Sequence, residues 1–178
     1  MAERIRHLWL YRVLFLGLAV VVIFVQLLPL HPGPGKIPGP DVLLLLALSW
    51  VFMRQEFVPL IAVAAIFLLA DILFMRPFGL WAALAVVAVE YLRHRVHQMR
   101  EVSFLTEWLV IAAIVGAMTV IYVLVQSFLA VQQPPLGMTL IRLFFTIICY
   151  PLVVILGGRM FGLRKPRAGD SDALGLRV

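Results

Sequence analysis

The chain has 178 residues, of which 63% are hydrophobic and 13% charged, with a formal net charge of +6. A mean hydropathy of +1.06 excludes an ordinary soluble domain and identifies an integral membrane protein. The single cysteine, Cys149, excludes an internal disulfide and a cysteine-rich metal site.

An apolar run from Leu8 to about Pro29 follows Arg4 and Arg6 and contains Arg12. It is long enough to cross about 30 Å of hydrocarbon, and no small-residue cleavage site follows, so it reads as a retained first helix. Alternating proline and glycine between His31 and Pro40 prevent helix and ladder pairing, which makes this stretch an external loop. Asp41 is placed to cap a second helix over residues 42–53, only about 18 Å long. A third helix is expected over 57–74, with Pro59 in its first turn, and a fourth over 78–92. The basic linker Arg93 to Arg100 leads to a fifth helix over 103–131, which Gln132-Gln-Pro-Pro135 ends, and a sixth over 138–161. Pro151 leaves the carbonyl of Ile147 without its helical partner, so a kink is expected beside Cys149 and Tyr150. Residues 1–162 thus form the transmembrane domain, and 163–178 a flexible basic tail.

The short second helix decides the topology. If it crosses, both termini share one side with Arg4, Arg6, Arg12, Arg54, Arg93, Arg95, Arg100, Arg159, Arg164, Lys165, Arg167 and Arg177. Only Lys36 and Arg76 fall in external loops, and Arg142 lies just inside the outer face. If it does not cross, the positive-inside bias is broken. The expected fold is therefore an all-α integral membrane protein of six transmembrane helices with cytoplasmic termini. The same asymmetry accounts for the basic charge without nucleic acid.

Two ridges of small residues mark the fifth helix, Ala112 with Gly116 and Ala113 with Ala117; the fourth offers Gly79 with Ala83 and Ala85 with Ala88. Such spacing lets a neighbouring backbone approach closely. Internal packing is the expected use, and a partner helix the alternative.

Four ionisable residues lie within or at the edges of the spans: Asp71, Glu90, Glu107 and Arg142. Asp71 and Arg142 match in depth near the outer face and oppose in sign, so an ion pair is expected, with Arg76 as a competing partner. Its role is to fix helix positions or to bind a partner or ligand. Glu90 can meet Arg93 or His94 one turn on, and Glu107 complements the start of its helix, which suggests a cytoplasmic ion cluster of Glu90, Arg93 and Glu107. Proton-coupled transport through Glu90 and Glu107 lacks a polar path at the midplane.

Catalytic arrangements are absent from the sequence. His7, His31, His94 and His97 lie outside the expected spans, and His94 with His97 alone is a weak metal signal. There is no G-x-S-x-G, H-E-x-x-H or Walker sequence, and Ser49, Ser127 and Thr146 suit bonds to helix backbone. The expectation is a protein without enzymatic activity, cofactor or metal.

Asp71, Leu73, Pro77, Gly79 and Leu80 form the pattern D-x-L-x-x-x-P-x-G-L. This resembles the end of the third helix in the bacterial rod-shape-determining MreD family, and Arg-Pro-Phe-Gly-Leu-Trp-Ala is most similar to alphaproteobacterial members. Six spans, a short second helix and cytoplasmic termini fit the same resemblance. It implies a non-catalytic inner-membrane component of the cell-elongation (rod) complex supporting peptidoglycan synthesis, bound directly to MreC and in complex with MreB, RodA and a class B penicillin-binding transpeptidase, among membrane lipids. It also implies a fold similar to energy-coupling-factor transporter substrate-binding subunits, which supplies the alternative function of a small-solute-binding subunit. Such a subunit needs converging polar groups, and the outer half offers Gln26, Asp71, Gln126 and Arg142. Asp71 and Gly79 are the residues that the resemblance marks as structurally important.

Overall fold

The structure, a computed structural model, describes residues 2–28, 39–77, 79–96, 103–129 and 135–161. The residue 29–38 part of the expected proline-glycine loop, with His31 and Lys36, lies outside these, as do residues 97–102 with His97 and Arg100, residues 130–134, and the expected tail. Six α-helices follow in order: α1 (Ala2–Leu27), α2 (Val42–Arg54), α3 (Leu60–Leu73), α4 (Leu80–Val96), α5 (Phe104–Phe128) and α6 (Leu136–Phe161). No strand occurs among the described residues.

Three stretches are long and apolar enough to cross a membrane, Leu8–Leu27, Phe104–Phe128 and Leu136–Gly158. They carry most of the exposed apolar side chains, including Leu10, Val13 and Phe24 on α1, Leu109, Ile121 and Leu124 on α5, and Phe144, Ile148 and Leu152 on α6. In water so large an apolar surface would drive aggregation; in a bilayer it is the lipid face.

α2 has the opposite character. Every residue from Leu43 to Met53 is buried, and α2 packs on α1, α4 and α6. A helix surrounded by protein need not match the hydrocarbon thickness, so 13 residues are enough for a place inside the bundle. Its contacts are dispersive and close: Phe15 of α1 lies 5.5 Å from the ring of Trp50.

The ends of α2 are held by specific bonds. Asp41 is its N-cap, as expected, and accepts the Leu44 N–H. At the other end the chain tightens into a 3-10 turn, Gln55–Phe57, where the sequence suggested that the third helix begins. Arg12 of α1 reaches the Glu56 carbonyl at 3.4 Å. Arg93 of α4 reaches the carbonyls of Gln55 and Val58. Two cations thus take up carbonyls that the finished helix cannot. Pro59 precedes α3 as its N-cap instead of entering the first turn.

These bonds bring the start of α1, the end of α2 and the end of α4 to one end of the bundle, while the start of α2, the end of α3 and the starts of α4 and α6 meet at the other. The helices therefore alternate in direction, and the start of α1 and the end of α6 share an end.

α5 and α6 are joined along the half nearer that shared end. The Tyr150 hydroxyl donates to Glu107 at 2.6 Å, and the Trp108 indole donates to the Ile147 carbonyl at 2.9 Å. The carbonyl that Pro151 orphans is satisfied from the neighbouring helix.

Candidate functional site

The turn between α3 and α4 organises the opposite end. Gly79 adopts φ +77, in the left-handed region that a side chain disfavours. This lets α4 start directly beneath Asp71, whose Oδ2 accepts the Ala82 N–H at 3.1 Å. The amides of Gly79 and Trp81 add to the positive field there. Asp71 is fully buried, so a carboxylate on α3 caps α4 across the turn.

The expected Asp71–Arg142 pair is therefore not the one formed. Arg142 donates to Asp41 Oδ2 at 2.6 Å, and Arg76 lies 3.7 Å from the same oxygen. The reason is adjacency: α6 packs on α2, while Asp71 faces the start of α4. Equal depth aligned the charges along the membrane normal but did not make their helices neighbours. Asp41 completes its bonding by donating its backbone N–H to Thr146 Oγ1 at 3.0 Å, and that hydroxyl in turn donates to the Arg142 carbonyl at 2.7 Å.

These groups border a cavity of about 360 Å³. Asp41, Arg76, Arg142 and Thr146 line it together with Thr119, Tyr122 and Gln126 of α5, and Trp81 of α4. Both guanidiniums sit over the Trp81 ring, Arg76 at 5.6 Å and Arg142 at 5.8 Å from its centroid. Tyr122 meets the same ring edge-on at 5.0 Å. Burial pushes the Arg76 guanidinium below its ordinary pKa; Asp41 acts in the opposite sense, and the second cation, Arg142, in the same sense as burial.

Of the polar groups expected in this half, Gln126 and Arg142 line the cavity, while Asp71 and Gln26 do not. Asp41 was legible only as a cap. Trp81 stood in the run that carries the family resemblance but was not marked as a site residue, and Tyr122 and Thr119 carried no signal beyond their positions in apolar runs.

At the end shared by the start of α1 and the end of α6, Glu90 lies 3.9 Å from Arg93 and 3.2 Å from His94, the partners its spacing suggested. Glu107 does not join them: it is buried and turned toward Tyr150 of α6. Its place in the first turn of α5 set its depth, but the rotation of the helix sets what it faces. Arg93 bridges Glu90 to the turn after α2.

The small residues divide by helix. Ala85 and Ala88 of α4 are buried inside the bundle. On α5, Ala113 and Ala117 are exposed, Ala112 and Gly116 are half-buried, and a Cβ at Gly116 would meet open space. Among the described residues no group of three or more His, Cys, Asp and Glu converges.

Fold and site together define an all-α membrane protein with an arginine-lined cavity near one end. Comparison with protein-family models, curated proteins and solved structures finds no match.

Proposed function

We propose that this chain is a six-span bacterial inner-membrane scaffold of the MreD type, without catalytic activity, that binds an MreC-like partner in the cell-elongation complex. MreB, RodA and a class B penicillin-binding transpeptidase would join through that partner. In this reading the shared end of the termini is cytoplasmic. The clustering of Arg12, Arg54, Arg93 and Arg95 toward that end supports the orientation. The D-x-L-x-x-x-P-x-G-L pattern acts as one unit, in which the acid caps the helix that the glycine turn begins.

The observation that carries a scaffold role is the outward face of α5. Ala113 and Ala117 are not used inside the bundle, and space around Gly116 is open. A single transmembrane helix laid there gains close packing and weak Cα hydrogen bonds that lipid chains do not supply. Cysteines placed at Leu109, Ala113 and Ala117 in a Cys149→Ser background test the face by crosslinking in native membranes. Capture of an MreC-like chain is expected. Failure at all three sites, with a folded control, would overturn the interface.

The polar cavity favours a second reading, a small-solute-binding subunit of an energy-coupling-factor-type transporter. Affinity purification from native membranes separates the two. Co-purifying MreC, RodA and transpeptidase support the scaffold; an ATPase with a coupling subunit supports transport.

A further inference from the structure

We infer that the cavity beside Arg76, Arg142 and Trp81 binds the single anionic headgroup, phosphate ester or carboxylate, of a molecule with an apolar body. This rests on the cavity alone and holds under either reading of the whole protein.

The first observation is charge. The lining carries two guanidiniums and one carboxylate, Asp41. That carboxylate is already committed: Oδ1 accepts the Leu44 N–H, and Oδ2 serves both arginines. Asp71 lies outside the lining, where its Oδ2 accepts the Ala82 N–H, and its charge acts on Arg76 from there. The lining itself therefore carries one positive charge in excess.

Unused donors are the second observation. A guanidinium carries five N–H groups. Among the described residues, the Arg142 guanidinium makes a single hydrogen bond, to Asp41. Arg76 approaches that carboxylate only at 3.7 Å. Donors left in this state call for an acceptor. A phosphate or carboxylate supplies several lone pairs in the geometry that guanidinium forks match.

Third, beside the polar Thr119, Tyr122, Gln126 and Thr146, part of the wall is apolar. Val115, Val123, Met138 and Leu143 of α5 and α6 face the cavity, and both helices carry lipid-exposed side chains beyond it. A free inorganic anion would leave this surface unmatched, whereas a headgroup with an acyl chain covers it. The Trp81 ring, flanked by both guanidiniums, holds the two like charges ready for one anion.

The test uses the full chain in neutral detergent. Native mass spectrometry follows retention of added phosphatidylglycerol against phosphatidylcholine, and thermal unfolding follows the response to octanoate and to inorganic phosphate. Retention of phosphatidylglycerol about tenfold or more above phosphatidylcholine, reduced about tenfold by Arg76→Gln and Arg142→Gln, is expected for a lipid source. A rise in unfolding temperature with octanoate, without lipid retention, assigns a soluble amphiphile to the same site and also supports it. Met138→Trp narrows the cavity and keeps both arginines in the chain, so it decides the matter if the arginine variants fail to fold, and it should abolish the same response. Equal retention of the two lipids with no response to octanoate overturns the proposal. So does undiminished binding by Met138→Trp, or a response to inorganic phosphate alone.

Discussion

Trp108 of α5 donates its indole N–H to the carbonyl of Ile147 in α6 at 2.9 Å. Ile147 stands four residues before Pro151, so this is the carbonyl that the proline leaves open. The two features are one device: a backbone hydrogen bond missing from α6 and the side chain on α5 that replaces it.

Trp108→Phe should therefore lower stability by about 1–3 kcal/mol, because a carbonyl in an apolar setting loses its donor. Adding Pro151→Ala returns a backbone N–H to the helix and should restore much of that loss. Thermal unfolding of the two single variants and the double variant checks this. An equal cost of Trp108→Phe with and without the proline would remove the link.

The Asp41–Arg142 pair can be separated from the capping role of Asp41. Asn still accepts the Leu44 N–H, so Asp41→Asn removes the charge and keeps the cap. A double-mutant cycle of Asp41→Asn with Arg142→Gln should give a coupling of about 0.5–2 kcal/mol, at the lower end because Arg142 is 34% exposed. The corresponding cycle with Asp71→Asn should give less than about 0.5 kcal/mol. The reverse ranking would restore the pairing that depth alone suggested.

Two residues of the α3–α4 turn sit at positive φ, Gly79 at +77 and Met75 at +51. Gly79→Ala should cost about 1–2 kcal/mol in backbone strain, and it crowds Leu68 only at ordinary contact distance. Met75 is exposed, so Met75→Gly removes strain without losing packing. The gain is set against greater freedom of the unfolded chain, leaving stability unchanged or raised by up to about 1 kcal/mol. Chemical denaturation in mixed micelles can measure both. A loss of stability in Met75→Gly as large as that in Gly79→Ala would contradict the strain argument.

Tyr150→Phe should destabilise the α5–α6 contact by about 1.5–3 kcal/mol, since the hydroxyl donates to the buried carboxyl of Glu107. Glu107→Gln keeps an acceptor and should cost less. Hydrogen exchange of the α6 backbone around residue 150 reports the local loosening. Wild-type protection in Tyr150→Phe would mean the bond holds nothing in place.

The number and order of helices were legible because long apolar runs and breakers such as Pro59 and Pro77 carry that information locally. The ends were less so. α4 runs on to Val96 through residues that read as a linker, because Glu90 meets Arg93 and His94 at helical spacing. The orphaned Ile147 carbonyl was readable from Pro151, but its donor was not, since that depends on how two helices are rotated. The same limit applies to Asp41, Glu107 and Asp71: sequence gives each a depth, while the partner depends on which helices adjoin. Asp41 and Arg142 are 101 residues apart, beyond any local pattern.

That separation has a consequence for synthesis. Helix α2 is buried from Leu43 to Met53, and its Asp41 end is closed by Arg142 and Thr146 of the last helix. At about 5–20 residues per second, roughly 5–20 s pass between emergence of Asp41 and emergence of Arg142 from the ribosome. Through that interval the short helix has a charged end without its cover and too little length to hold a stable place in lipid alone. Until α6 arrives α2 has only α1 and α4 to pack on, so the centre of the finished bundle is the last part to be secured.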